Sequence, residues 1–327
     1  MDIRQLPSGI LSVSEREEKS LGLLQSLLQL TPRNAPLSLT GDDSVVFVAI
    51  DFEFFPSKAM PITDRLNEIG ISTFDTRDLS GAGLQGSIRS QYHIYRSFKH
   101  TWRKFLFDES KRIVPKDMRM LLEDNIFVKD ANGKARRTVL VGHGLHGAEL
   151  ELMESLGIDL VDTRSSSGFL GVLDTLDLGM NSQHLCLFRG SSTNDLDLGS
   201  AVLGDGPRGS HFSLADLLSR LNIPFAYLHY AGNDAHFTLK ALFALAVHSM
   251  EGASTKLNQE QQEILTKLRA VGYASIAKEL EGRTPDQELY HQDLLSKVDE
   301  KRASRLKAKE ADVLDHFPSF VELEICD

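Results

Sequence analysis

Val45-Val46-Phe47-Val48-Ala49-Ile50-Asp51-Phe52-Glu53 is the stretch from which the fold can be read. Six apolar residues running into Asp-x-Glu read as a buried central strand. Residues two apart on a strand point to the same face, so Asp51 and Glu53 stand side by side at its end. Two such anions about 4 Å apart repel by roughly 4 kcal/mol at an effective dielectric near 20. A fold tolerates this if a cation lies between them or if one carboxyl keeps its proton. Hard oxygen ligands favour magnesium or manganese. The plainer alternative is a strand end whose acids face water.

Two later segments add to this pair. Val139-Leu140-Val141-Gly142-His143-Gly144-Leu145-His146-Gly147-Ala148-Glu149 is an apolar strand running into a Gly-His turn and a helix. His229-Tyr230-Ala231-Gly232-Asn233-Asp234-Ala235 reads as a loop entering a long helix over 235–249. Asp234 then lies in the first helical turn and aims into the site, with His229 on the loop before it. A neutral imidazole there can take a proton from water at neutral pH. The competing reading is that Asp234 only caps the helix.

Asp-x-Glu on a strand, Gly-His in the middle and His-x4-Asp before a helix resemble the DEDDh family of 3′→5′ exonucleases. The phrase His229 to Ala235, preceded by Ser213-Leu214-Ala215-Asp216-Leu217-Leu218, is similar to a fungal branch of that family. That branch includes the QIP proteins, which interact with Argonaute in RNA silencing. The resemblance covers roughly residues 44–250. It implies a ribonuclease H-like fold and a nuclease that uses two Mg2+ or Mn2+ ions on single-stranded RNA or DNA 3′ ends, with RNA favoured. It also implies an Argonaute partner. Asp51 and Glu53 match the first two family acids, His229 the general base and Asp234 the last acid. Phe54, Phe55, His143 and Asn233 are the candidate substrate contacts. His143 and His146 are also candidate supporting donors, His143 mainly for the turn. The third acid is expected five residues after His143, where Ala148 stands. Ala148 cannot bind a metal. The chain is then an engineered Asp→Ala form, a site in which Glu149 substitutes, or a natural pseudo-nuclease. The sequence favours the first, since every other position is intact. A one-residue step along a helix turns a side chain by about 100°, which counts against Glu149.

Composition agrees. The chain has 327 residues, 41% hydrophobic and 25% charged, as in ordinary globular proteins. No apolar run of transmembrane length occurs, and the first residues lack an apolar signal core. Cys186 and Cys326 lie far apart and form no framework, so a reducing compartment, cytoplasm or nucleus, is expected. A net charge of −10 argues against a general nucleic-acid coat protein. Local positive charge is concentrated in Arg89 to Arg112, where Tyr92, Tyr95, Phe98 and Trp102 interleave with the bases. The alternative for that stretch is aromatics in the core and charges in solvent.

Three parts are expected. Residues 1–40 form a helical arm, with a Ser14-Glu15-Arg16-Glu17 capping box and a linker at Pro32 and Pro36. Residues 41–250 form the α/β domain. It is a mixed sheet flanked by helices, with strands near 45–53, 67–74, 87–95 and 138–142 and an irregular insertion at 181–211. Residues 251–327 form a charged helical extension, which serves either as a solvated appendage or as a partner or homodimer helix. An inert adaptor acting through its helical ends is the alternative to an enzyme.

Overall fold

The strand read from Val45 to Glu53 is central, and the other elements are arranged around it. The computed structural model describes residues 13–30, 43–56, 59–79, 88–95, 105–145, 148–158, 160, 168–180, 213–251 and 257–279, apart from the side chains of 13–19 and 278. The side chains of the Ser14–Glu17 capping box, together with Pro32, Pro36, the 96–104 part of the basic segment, His146, the 181–211 insertion, both cysteines and residues 280–327, lie outside them.

β1 (Val45–Phe54) pairs antiparallel with β2 (Leu66–Asp75), which pairs antiparallel with β3 (Arg89–Ile94). This is the expected meander. The short β4 (Ser110–Arg112), which the sequence did not announce, adds parallel to β3. On its other side β1 pairs in parallel with β5 (Arg137–Gly142), and β5 with β6 (Phe169–Asp174). The order is therefore β4-β3-β2-β1-β5-β6, a mixed six-stranded sheet with helices on its faces.

Alternation along β1 separates two cores. Val46, Val48, Ile50 and Phe52 join Met118, Leu122, Leu152 and Met153 of α3 (Pro115–Ile126) and α4 (Ala148–Ser155). On the other face Phe47 meets Phe243 edge-on at 5.8 Å, and Phe74 meets the same ring at 4.6 Å. Such ring pairs contribute about 0.5–1.5 kcal/mol beyond their burial. Phe243 belongs to α7 (Ala231–Glu251), which begins four residues earlier than the sequence reading placed it. The Ala231–Asn233 stretch, read as a loop, is already helical, and its small residues let it pack against the sheet.

The remaining helices are α1 (Val13–Leu27), α2 (Ile62–Arg65), α5 (Thr175–Met180), α6 (Leu214–Arg220), α8 (Gln259–Gly272) and α9 (Ile276–Glu279). Ser213 and Asp216 form a capping box on α6. α8 buries Ile264 and Leu268 and packs on α7, so this part of the expected extension is no solvated appendage. The described residues fall in one compact unit that ends at Glu279. Among them no helix is long and apolar enough to cross a membrane.

Candidate active site

β1 pairs with β5 only from Val45 to Ala49, whereas its pairing with β2 continues to Phe54. Asp51 and Glu53 therefore overhang the end of the parallel neighbour, where open α/β sheets leave a crevice. They share a face with Phe47, which puts them on the side of α7. Two glycines bring that helix close. A Cβ on Gly70, the register partner of Asp51, would lie 1.8 Å from the carbonyl oxygen of Ala231. A Cβ on Gly232 would lie 2.7 Å from Tyr92 Cβ. Only backbone without side chains allows the first turn of α7 to rest there.

Asp234, in that turn, is 8 % exposed. Its Oδ2 accepts the backbone N–H of His229 at 2.9 Å, while its Oδ1 is buried with no hydrogen-bond partner among the described residues. One oxygen thus caps the loop and the other is left for something else. His229 is exposed and holds a left-handed backbone, φ 68°, which costs on the order of 1 kcal/mol in a non-glycine residue. Glu53, His229 and Asp234 each offer one ligand atom, and these atoms lie within 4.8 Å of one another.

The electrostatics are one-sided. Burial raises the Asp51 carboxyl well above the ordinary range, and repulsion from Asp234, Glu53, Glu149 and Glu68 adds to it. Burial pushes Asp234 up to about 8 against the opposing His229 hydrogen bond, with Glu53 and Glu68 adding repulsion. Glu53 is raised by burial and then by Glu149. Among the described residues none of these carboxylates has an ion pair with lysine or arginine. An orphaned buried oxygen and mutually repelling carboxylates fit hard divalent ions.

Ala148, the first residue of α4, packs against the apolar core. Glu149 stands close enough to repel both Asp51 and Glu53, and burial raises its own pKa. Glu149 thus lies within electrostatic reach of the acid pair despite its one-residue offset from position 148. Residue 149 lies in the first turn of the helix beside the acids, and residue 148 packs against the core.

The other expected contacts divide. Phe54 packs on the core with Arg65 over its ring at 5.8 Å, and Phe55 is partly exposed just beyond the strand. His143 Nδ1 lies 3.1 Å from Thr175 Oγ1, which in turn donates to the Gly142 carbonyl, so His143 sits in the turn it was expected to support. Asn233 is fully buried. Its Oδ1 accepts from the Leu106 amide at 3.0 Å and its Nδ2 donates to the Tyr227 carbonyl at 2.8 Å. Asn233 is a brace between loops rather than a substrate contact. Tyr92, expected among candidate stacking aromatics, is wholly buried.

Two acids went unnoticed in the sequence. Glu68, the register partner of Glu53, is 3 % exposed and accepts from the Ala231 amide at 3.4 Å. Its one signal was an acid inside an apolar strand. Asp174, at the end of β6, accepts the amides of Gly144, Leu145 and Leu176 and so shapes the Gly-His turn.

A family model described as DEDDh_C, DNA polymerase III subunit epsilon-like, C-terminal domain, matches residues 46–245. The chain belongs to this DEDDh family. The match spans β1 through most of α7, and with them Asp51, Glu53, His229 and Asp234. The mixed sheet is that of a ribonuclease H-like DEDDh domain. No curated protein matches the chain.

Proposed function

We propose that this DEDDh chain is a metal-dependent 3′→5′ exonuclease acting on single-stranded ends, RNA first among them. The observation that carries the reading is the meeting of Glu53, His229 and Asp234 within ligand distance, with Asp51 beside them. Asp51, Glu53 and Asp234 would hold two magnesium or manganese ions, with Glu149 as the third acid in place of residue 148. When bound, such ions neutralise the carboxylates, lower the pKa of water and stabilise a leaving oxygen.

The chain's own residues do the rest. His229, exposed on the loop and fixed through its amide to Asp234, accepts the proton of the attacking water at an imidazole nitrogen. Phe55, following the acid-bearing strand, meets the terminal base. RNA as substrate, membership of the fungal QIP-like branch and an Argonaute partner rest on the likeness of His229 to Ala235. They belong to this proposal on that ground.

The test is an end-labelled cleavage assay on single-stranded RNA and DNA with manganese or magnesium. The parent chain, Glu149→Gln, Ala148→Asp and Asp234→Ala are compared. We expect the parent to shorten 3′ ends and both Glu149→Gln and Asp234→Ala to be silent. Cleavage by Ala148→Asp alone would show that position 148 carries the third acid and that the parent is an inactivated form. Silence of all four would overturn the nuclease reading and leave the adaptor.

A further inference from the structure

A second charged cluster lies on α7, just beyond the acids, and the chemistry above does not use it. Lys240 is wholly buried, which a lysine tolerates only when paired. Its Nζ donates to Glu279 Oε2 at 2.8 Å and to the Ala274 carbonyl at 2.6 Å. The other oxygen of Glu279, Oε1, lies 3.1 Å from His236 Nε2. His236 Nδ1 lies 2.9 Å from Ser90 Oγ on β3, and Ser90 Oγ lies 2.7 Å from Ser72 Oγ on β2. The His236 ring stacks on Phe107 with centroids 3.4 Å apart. One carboxylate from α9 thus closes a chain of contacts running through the helix to two strands of the sheet.

The chain of contacts ends close to the site. His236 is two residues from Asp234 in the same helix. Phe107 belongs to the segment whose Leu106 amide is held by Asn233, the neighbour of Asp234. Gly272 makes the connection feasible. A Cβ there would lie 3.1 Å from the Ala244 amide nitrogen, so α8 ends against α7 and delivers Ala274 and Glu279 onto Lys240.

We propose that Glu279 is a positioning residue for the DEDDh site: by bridging His236 and Lys240 it fixes the first turns of α7 and hence the placement of Asp234 and His229. The inference rests on the nuclease reading. It places α9, more than thirty residues beyond the family match, among the parts the reaction requires. Small misplacements of reacting groups cost up to about 100-fold in rate, so the effect reaches turnover without contact with substrate.

The experiment uses the full chain with Glu279→Ala, Glu279→Gln and the double variant Lys240→Met/Glu279→Leu. Cleavage kinetics, thermal unfolding and amide exchange over 229–240 are read together. Replacing a buried ion pair by apolar side chains often keeps or raises stability, so the double variant separates folding from positioning. We expect Glu279→Ala to lower kcat by about 10-fold or more with KM little changed. Exchange over 229–240 should rise while β5 stays protected. Glu279→Gln, which keeps an oxygen for hydrogen bonding, should recover part of kcat. The double variant should regain stability but not kcat. Recovery of kcat together with stability would overturn the proposal and leave Glu279 a stabilising contact only. Parent-like kcat in Glu279→Ala would also overturn it. Silence of both the parent and Ala148→Asp on every substrate would overturn the nuclease reading itself, and with it the role of Glu279; if only Ala148→Asp cleaves, the Glu279 variants are made and read in that background.

Discussion

The two charged clusters on α7 are opposites in composition. Toward its N-terminus, Asp51, Glu53, Glu149, Glu68 and Asp234 gather with raised pKa values and no described lysine or arginine partner. Two turns on, Glu279 is also buried, yet His236 and Lys240 outweigh burial and hold its pKa below the ordinary value. Asp75, paired with Arg136 and Arg77, shows the same outcome elsewhere in the sheet. At Glu279 and Asp75, two structural carboxylates taken largely out of water, the protein supplies a base. Around the acidic cluster no described lysine or arginine does so, an arrangement that a divalent ion would neutralise.

Four outcomes bear on that contrast. The largest is on cleavage. Asp51→Asn should bring exonuclease activity to background while leaving the metal-free fold at least as stable, because one of several repelling charges is gone. Activity within about tenfold of the parent would break the assignment of the acidic cluster. Next, denaturant unfolding of Glu279→Ala should show a loss of about 3 kcal/mol or more, since Lys240 is left buried without its carboxylate. Opposite signs of stability change in these two variants are the sharpest form of the comparison. Third, Gly70→Ala should cost about 1–3 kcal/mol and weaken manganese binding in a titration, because its methyl would be forced against the Ala231 carbonyl.

The fourth outcome is with pH. Asp234 holds its proton more tightly folded than unfolded, with values of about 8 and 3.8. Its contribution to stability is therefore present below about 3.8 and is lost as pH rises toward about 8. Melting temperature of the metal-free protein should fall over that window, and manganese should restore it most at the upper end. An Asp234→Asn variant should flatten the slope. A melting temperature that rises over the same window in the metal-free parent would contradict the raised value.

Much of this was legible beforehand because it is local. The apolar run into Asp51-x-Glu53 marked the central strand, and the short links after it marked the antiparallel meander. The spacing of His229 and Asp234 marked the loop and helix that carry them. What escaped depends on register and on partners far along the chain. Glu68 looks like any strand acid until β2 is paired with β1 and places it opposite Glu53. Asn233 sits in the motif like a substrate contact, and only the folded loops show its amide bracing Leu106 and Tyr227. Glu149 is one helical step from the expected position, and only the packing of Ala148 on the core shows which of the two neighbours the acids. Lys240 and Glu279 are 39 residues apart, and no local pattern joins them.

The contact at Gly70 has a mechanical consequence. Side chains act as compressible shims between a helix and a sheet, since they change rotamer and accommodate. At Gly70 there is no shim, and strand backbone meets the helix carbonyl of Ala231 directly. The gap between Asp51, opposite Gly70, and Asp234, three residues beyond Ala231, is therefore gauged by two rigid backbones. A site built on such a hard stop keeps its width when surrounding side chains drift, and would for that reason discriminate between cations by radius.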